Sequence, residues 1–211
     1  MNIEFPPVYP ITDTKISGLP VIEQVRAFIA GGARLFQVRE KGLNSRDLFY
    51  ASAEAVKVAH EHGVKVIIND RADIALLAGA DGVHLGQQDL APEHARRLLG
   101  PRAIIGYSTH SIEQTERAAD MPVDYVAFGP VFNTSTKSDH EPIVGLELLA
   151  NIKAIVGGIP LVAIGGIDRN RLSQVLRSGA DSAAVISSVL TAPSGIEAEL
   201  DRMFQAADML L

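Results

Sequence analysis

The chain of 211 residues contains no cysteine, which excludes disulfides and thiolate metal sites. A reducing cytosol suits such a composition, so a cytoplasmic location is expected. The opening residues, MNIEFPPVYPIT, offer neither a basic segment nor a long apolar one, and no secretory signal is expected. Nowhere do ~20 apolar residues run together without a charge, so no membrane span is expected either. Positive charge is in deficit: the formal net charge is −6, with 21% charged residues. This balance argues against nucleic-acid binding, and an anionic ligand must be met by local cations rather than by a global field. Apolar residues make up 47% of the chain, enough for a sizeable core, so disorder is excluded.

What the chain does have is alternation. Short apolar, β-prone runs at 8–12, 34–38, 65–69, 82–85, 103–107, 125–129, 161–164 and 182–186 predict eight strands. Helical patterns lie between them; the one over 45–61 sets Leu48, Ala51, Ala55 and Val58 on one face. Ser111 precedes Gln114 by three residues, the pattern of a capping box, and Asp168 can cap the segment leading to Leu176. Helix stops recur as Ala30-Gly31-Gly32-Ala33, Ala78-Gly79-Ala80-Asp81 and Ser178-Gly179-Ala180-Asp181, each with glycine where a left-handed cap ends a helix. The strands KVIIN and LVAIG are apolar on both faces, as a parallel sheet covered by helices requires. Eight βα units in this length favour an α/β fold closed as a (β/α)8 TIM barrel, with residues 1–211 as a single domain. In such a barrel the active face lies at the C-terminal ends of the strands, so polar residues at strand exits become site candidates.

The exit of the second strand is the most telling. Alternation sends Leu35, Gln37, Arg39 and Lys41 to one face, successive members roughly 6–7 Å apart. Two cations so spaced can embrace a diphosphate, the guanidinium as a planar fork and the ammonium as a point charge. A solvated strand end explains the same residues equally well. The third strand exits into Asn69 and Asp70, the fourth into Gly86, Gln87, Gln88 and Asp89. Carboxylates on neighbouring strand ends suit Mg²⁺, which takes one or two of them and leaves its other positions to water and phosphate. Taken singly, Asp70 reads as a helix N-cap and Asp89 as a turn residue or cap. Ser108, after the fifth strand, can donate to a ligand oxygen. His84 reads as a packed barrel histidine, and His110 and His140 as solvated loop residues. The longest loop, FNTSTKSDHEPIV, follows the sixth strand, and there Thr134, Ser135, Thr136 and Lys137 could form a phosphate-contacting hairpin. Gly165 and Gly166 end the seventh strand, and Ser187 and Ser188 the eighth, where barrels often bind phosphate. Two anion sites at one mouth fit two phosphorylated substrates or one bisphosphate.

QVREKG, IIND, GVHLGQQD, IGYSTHS, DYVAFGPVFNTSTK, AIGGI and GADSAAVIS, in this order, resemble the thiamine-phosphate synthase family over nearly the whole chain. The resemblance implies a Mg²⁺-dependent transferase that joins hydroxymethylpyrimidine diphosphate to thiazole phosphate, or its carboxylated form, releasing diphosphate and thiamine monophosphate. It puts Gln37, Arg39, Lys41, Asn69, Ser108 and Lys137 on the pyrimidine diphosphate, with Val38 and Glu40 in the same run. Arg39, Lys41, Ser108 and Lys137 become the catalytic set, and Asp70 and Asp89 the metal ligands. Thr134, Ser135, Thr136, Gly165, Gly166, Ile186 and Ser187 fall on the thiazole phosphate; alternation alone would leave Ile186 in the core. A thiazole tautomerase shares the barrel, but where it carries a catalytic histidine after the sixth strand this chain has Pro130. It also lacks the aspartate that follows Asn69 here. A non-catalytic binder of thiazole phosphate is the remaining alternative. Small phosphorylated substrates are the expected partners. Pairing through helical faces gives a homo-oligomer as a further expectation, with no surface assigned.

Overall fold

Eight short apolar strands pair edge to edge until the sheet meets itself. The computed structural model describes residues 5–134 and 142–210. The strands are β1 (Val8–Pro10), β2 (Leu35–Val38), β3 (Lys65–Asn69), β4 (Gly82–Leu85), β5 (Ile104–Thr109), β6 (Tyr125–Phe128), β7 (Leu161–Ile164) and β8 (Ser182–Val185). They run β1-β8-β7-β6-β5-β4-β3-β2, and every neighbouring pair is parallel. A parallel bridge between Ile11 and Gln37 closes the ring, with Thr12 N donating to Gln37 O at 2.9 Å. This is the (β/α)8 barrel expected from the alternating pattern.

The first helices are α1 (Thr14–Ser17), α2 (Val21–Ala30), α3 (Ser45–Glu61), α4 (Ala72–Ala78) and α5 (Pro92–Leu99). Then come α6 (Ile112–Ala119), α7 (Glu147–Val156), α8 (Arg169–Arg177), α9 (Ser187–Leu190) and α10 (Ile196–Asp208). Among the described residues no helix is long and apolar enough to cross a membrane. Asp168 caps α8 by accepting from Arg171 N at 3.0 Å. Ser111 caps α6 by accepting from Gln114 N at 3.2 Å. The return bond of this capping box goes one residue further out, because Gln114 Oε1 accepts from His110 N at 2.7 Å. Gly32, Gly79 and Gly179 take the positive φ anticipated at the helix stops.

Two strand ends differ from the apolar pattern by two residues; the other boundaries agree to within one. β1 gives out at Pro10, which has no N–H to donate, and only the bridge at Ile11 continues its pairing. β5 runs on to Thr109, because Ser108 and Thr109 pair with Ala127 and Phe128 and the Thr109 hydroxyl donates to Ala127 O at 3.1 Å. Ser108 is therefore held in a strand rather than in a loop.

The aspartates of the two Gly-Ala-Asp stops, and Asp124 in the same place before β6, have a structural role. Asp81, just before β4, accepts from the backbone N of Val66 in β3 at 2.8 Å. Asp124, before β6, accepts from Ile105 N in β5 at 2.8 Å, and Asp181, before β8, from Leu161 N in β7 at 2.6 Å. Each thus staples the strand of the preceding unit. Each also meets a nitrogen from a covering helix: His60 Nε2 at 2.9 Å, Arg96 Nη2 at 2.5 Å and Lys153 Nζ at 2.7 Å. These bonds sit at strand entries, the stability face of a barrel.

Asp124→Ala leaves the Ile105 amide without its acceptor and takes the carboxylate from Arg96, which keeps the carbonyls of Gly100, Ala103 and Pro122, and is expected to cost about 2 kcal/mol of stability in urea unfolding. Asp124→Asn keeps an acceptor for the amide and should lose less; equal losses would remove the role assigned to that backbone bond.

Candidate active site

Arg39, Glu40 and Lys41 stand where β2 ends, and the strict alternation of faces lapses with the strand. Arg39 is only 9% exposed, and its Nη1 pairs with Asp13 Oδ2 at 3.0 Å. Its backbone N donates to Thr12 Oγ1 at 3.0 Å. Lys41 reaches into the mouth, where its exposed Nζ lies 3.8 Å from Asp70 Oδ2. Glu40 points to the β1–α1 loop. Its Oε1 accepts from Thr12 Oγ1 at 2.9 Å, and its Oε2 from Thr14 N at 3.1 Å and Thr14 Oγ1 at 2.7 Å. With its carboxylate so occupied, Glu40 braces that loop. Val38 is fully buried in the core and presents no group to the mouth.

Asp70 does not cap α4. That position falls to Arg71, which makes no side-chain capping bond, while Asp70 sits at φ 63° with its N donating to His84 O at 2.7 Å. A left-handed backbone in a residue other than glycine is strained, and here it turns the carboxylate toward the exit of β4. There it meets Asp89, whose Oδ2 accepts from Gly86 N at 2.6 Å. Burial and the neighbouring Asp89 push the Asp70 carboxyl up to about 6, against the weaker pull of Lys41 and Arg39. Two carboxylates held this close repel, and a hard divalent cation between them would remove that cost. Among the described residues no group of three or more His, Cys, Asp or Glu converges, so water and substrate oxygens would have to complete the ligand set.

Ser108 lies next in the ring. Its Oγ is 2.8 Å from His84 Nε2, and its carbonyl accepts from Gln87 Nε2 at 2.6 Å. Asn69 ends β3 opposite His84, in register with it. Gln37 points into the barrel, where its Nε2 donates to the Tyr9 hydroxyl at 3.1 Å. Gln37, Arg39, Lys41, Asn69, Asp70, Asp89 and Ser108 thus share one half of the mouth, over β2 to β5.

The other half is a largely apolar cavity of about 380 Å³ over β6 to β8, with Asp168 in its lining, and is within the usual size of a small-molecule site. Gly165, Gly166, Ile186, Ser187 and Thr134 border it, together with Pro130 and Phe132. Gly165 and Gly166 lie against the 130–133 segment so closely that a Cβ on either would come within 2.6 Å of Pro130 or 2.5 Å of Asn133 O. Arg171, from the first turn of α8, covers the Phe132 ring at 4.7 Å and donates to Gly166 O at 2.7 Å. Ser135, Thr136, Lys137 and His140 lie outside the described residues.

Some participants had no sequence signal strong enough to find them. His110 lines the cavity instead of standing in solvent, with its Nδ1 2.6 Å from Gly129 O. Asp13 has the sequence appearance of an ordinary cap, and its Oδ1 does accept from Lys15 N and Ile16 N. Its other oxygen holds Arg39.

The raised Asp70 carboxyl makes a stability prediction for protein freed of divalent cations. Its contribution is fully present below the ordinary value of 3.8 and is lost as pH rises through about 6. Asp70→Asn should therefore gain on wild type between those pH values and keep a constant margin above them. The side chain is 30% exposed, so solvent screening limits that margin to about 1 kcal/mol. Thermal unfolding across the range checks it, and a margin that shrinks with rising pH would contradict the assignment.

A family model and several relatives match the chain along nearly its whole length. The family model described as thiamine monophosphate synthase matches residues 8–189. The thiamine-phosphate synthase of Syntrophomonas wolfei is 44% identical over 200 residues, covering 94% of each chain. That of Albidiferax ferrireducens is 43% identical over 203 residues, covering 95% of this chain and 91% of its own. The thiamine phosphate pyrophosphorylase of Pyrococcus furiosus superposes with a TM-score of 0.87 at 32% identity, over 97% of both chains. With a charged half and a largely apolar half at the mouth of one barrel, and these relatives along nearly its full length, the chain belongs to the thiamine monophosphate synthase family, transferases of thiamine biosynthesis.

Proposed function

We propose that this chain joins hydroxymethylpyrimidine diphosphate to thiazole phosphate, forming thiamine monophosphate and releasing diphosphate. The observation that carries this reading is the division of the mouth. Paired carboxylates beside Arg39 and Lys41 lie over β2 to β4, and a largely apolar cavity lies over β6 to β8. A diphosphate leaving group needs the first half, and an uncharged ring with a phosphate tail suits the second. Asp70 and Asp89 would hold Mg²⁺, which when bound neutralises charge on the departing diphosphate.

The work left to the protein is positioning and charge stabilisation. Arg39 is already set by Asp13, so its guanidinium meets the ligand without first being ordered. Lys41 adds a point charge, and Lys137 from the segment after β6 would add another. Ser108 would donate to an oxygen of the same group. As the carbon–oxygen bond ionises, these donors stabilise the leaving diphosphate while the thiazole nitrogen, held over the largely apolar cavity, captures the pyrimidine methylene cation. Gly165, Gly166 and Ser187 border the region where the thiazole phosphate would lie. Pro130, at the position of the tautomerase histidine, has no group that can take a proton.

Purified protein should release diphosphate only with both substrates and a divalent cation present. Asp89→Asn is expected to lower turnover on the order of 100-fold with the fold intact. Wild-type-like synthesis by folded Asp89→Asn protein at limiting Mg²⁺ would remove the metal assignment. Isomerisation of a thiazole phosphate carboxylate without pyrimidine substrate would instead favour the tautomerase reading.

A further inference from the structure

Five side chains from five strands join in one unbroken line through the barrel. Gln37 Nε2 on β2 donates to Tyr9 Oη on β1 at 3.1 Å. Tyr9 Oη lies 3.1 Å from Tyr125 Oη on β6, which lies 2.9 Å from His84 Nδ1 on β4. His84 Nε2 then lies 2.8 Å from Ser108 Oγ on β5. Tyr9 and Tyr125 are at most 1% exposed, and Phe5 packs on both rings at 6.1 and 4.7 Å. The Tyr125 ring also stacks on the imidazole at 5.4 Å. Gly106 on β5 makes room for that ring, since a Cβ there would collide with it.

With Gln37 Nε2 as the donor at one end and a neutral imidazole, counting protons sets the direction of donation along this line. A phenol has one proton to give. Tyr9 accepts from Gln37, so its proton goes to Tyr125; Tyr125 accepts from Tyr9, so its proton goes to His84 Nδ1. The imidazole proton is then on Nε2 and is given to Ser108 Oγ. Ser108, having accepted, turns its own proton toward the mouth. Burial pushes both phenols well above their ordinary value, so both stay protonated. A buried polar line is costly to build unless every member is paired, and apolar side chains could have filled the same space. Its two ends, Gln37 and Ser108, are both residues already assigned to substrate.

We propose that Tyr9, Tyr125 and His84 are positioning residues for the transfer: they form a one-way hydrogen-bond line that fixes Ser108 as a donor toward the departing diphosphate. This rests on the proposed transfer reaction. No proton crosses the line during turnover; it sets which partner each group presents.

Two measurements test it. The first needs no substrate: ¹⁵N NMR of the imidazole should show His84 protonated on Nε2, with Nδ1 as acceptor. A proton on Nδ1 would mean that the line runs the other way and Ser108 accepts, which overturns the proposal whether or not the protein is a synthase. The second is kinetic. Tyr125→Phe is expected to lower kcat about tenfold with the KM for thiazole phosphate unchanged. In a Ser108→Ala background the same change should have no further effect, because Tyr125 acts through that hydroxyl; independent, multiplying losses would overturn the proposal. His84→Gln, which can place an amide donor near the former Nε2, should retain several-fold more activity than His84→Ala, and equal activity of the two would count against the line. If wild-type protein releases no diphosphate, the transfer reading fails while the imidazole measurement still stands.

Discussion

The seam between β1 and β2 is the constraint on which the rest of the molecule depends. A parallel sheet of eight strands becomes a barrel only if its first and last edges meet, and here they meet through one bridge, Ile11 to Gln37. So sparse a ladder needs side chains to hold it. Thr12 donates its N to Gln37 O and its hydroxyl to Glu40, Glu40 also takes Thr14, and Asp13 takes Arg39. The side chains of Gln37, Arg39 and Glu40 are therefore all bonded across the seam. The residues that close the barrel are the same ones that hold the Arg39 guanidinium in place at its mouth.

From that closure follows a mouth with two electrostatic characters. On one side, carboxylates and cations from β2 to β4 are brought close enough for Asp89 to raise the Asp70 carboxyl and for Lys41 to offset part of the rise. On the other, glycine, proline and aliphatic side chains from β6 to β8 leave a largely apolar volume. Ser108, at the end of β5, stands between them.

Much of this was legible in the chain because the features concerned are local. Strand runs such as KVIIN and LVAI match β3 and β7 residue for residue, since both faces of those strands are buried and nothing interrupts the apolar pattern. The helix over 45–61 and the caps at Ser111 and Asp168 are likewise set by neighbours in sequence. Glu40 was not legible: its position beside Arg39 and Lys41 places it in the ligand-facing run, and only the approach of the β1–α1 loop shows that its carboxylate is used within the protein. Asp70 shows the opposite. Its place before ADIALL suits a cap, yet a positive φ turns it away from α4 and toward Asp89.

The sequence by itself determined the period of the fold, the eight exits at which polar residues collect, and the chemical types available there, because these depend on side-chain alternation and on glycine at helix ends. Which of those residues meet was decided by the tertiary structure alone. Tyr9 and Tyr125 are 116 positions apart, and His84 reads as an ordinary barrel histidine until the closed ring sets both Tyr125 and Ser108 against its two nitrogens. Hydrogen-bond partners across a barrel axis have no spacing in the chain, since each is placed by the tilt and closure of all eight strands together.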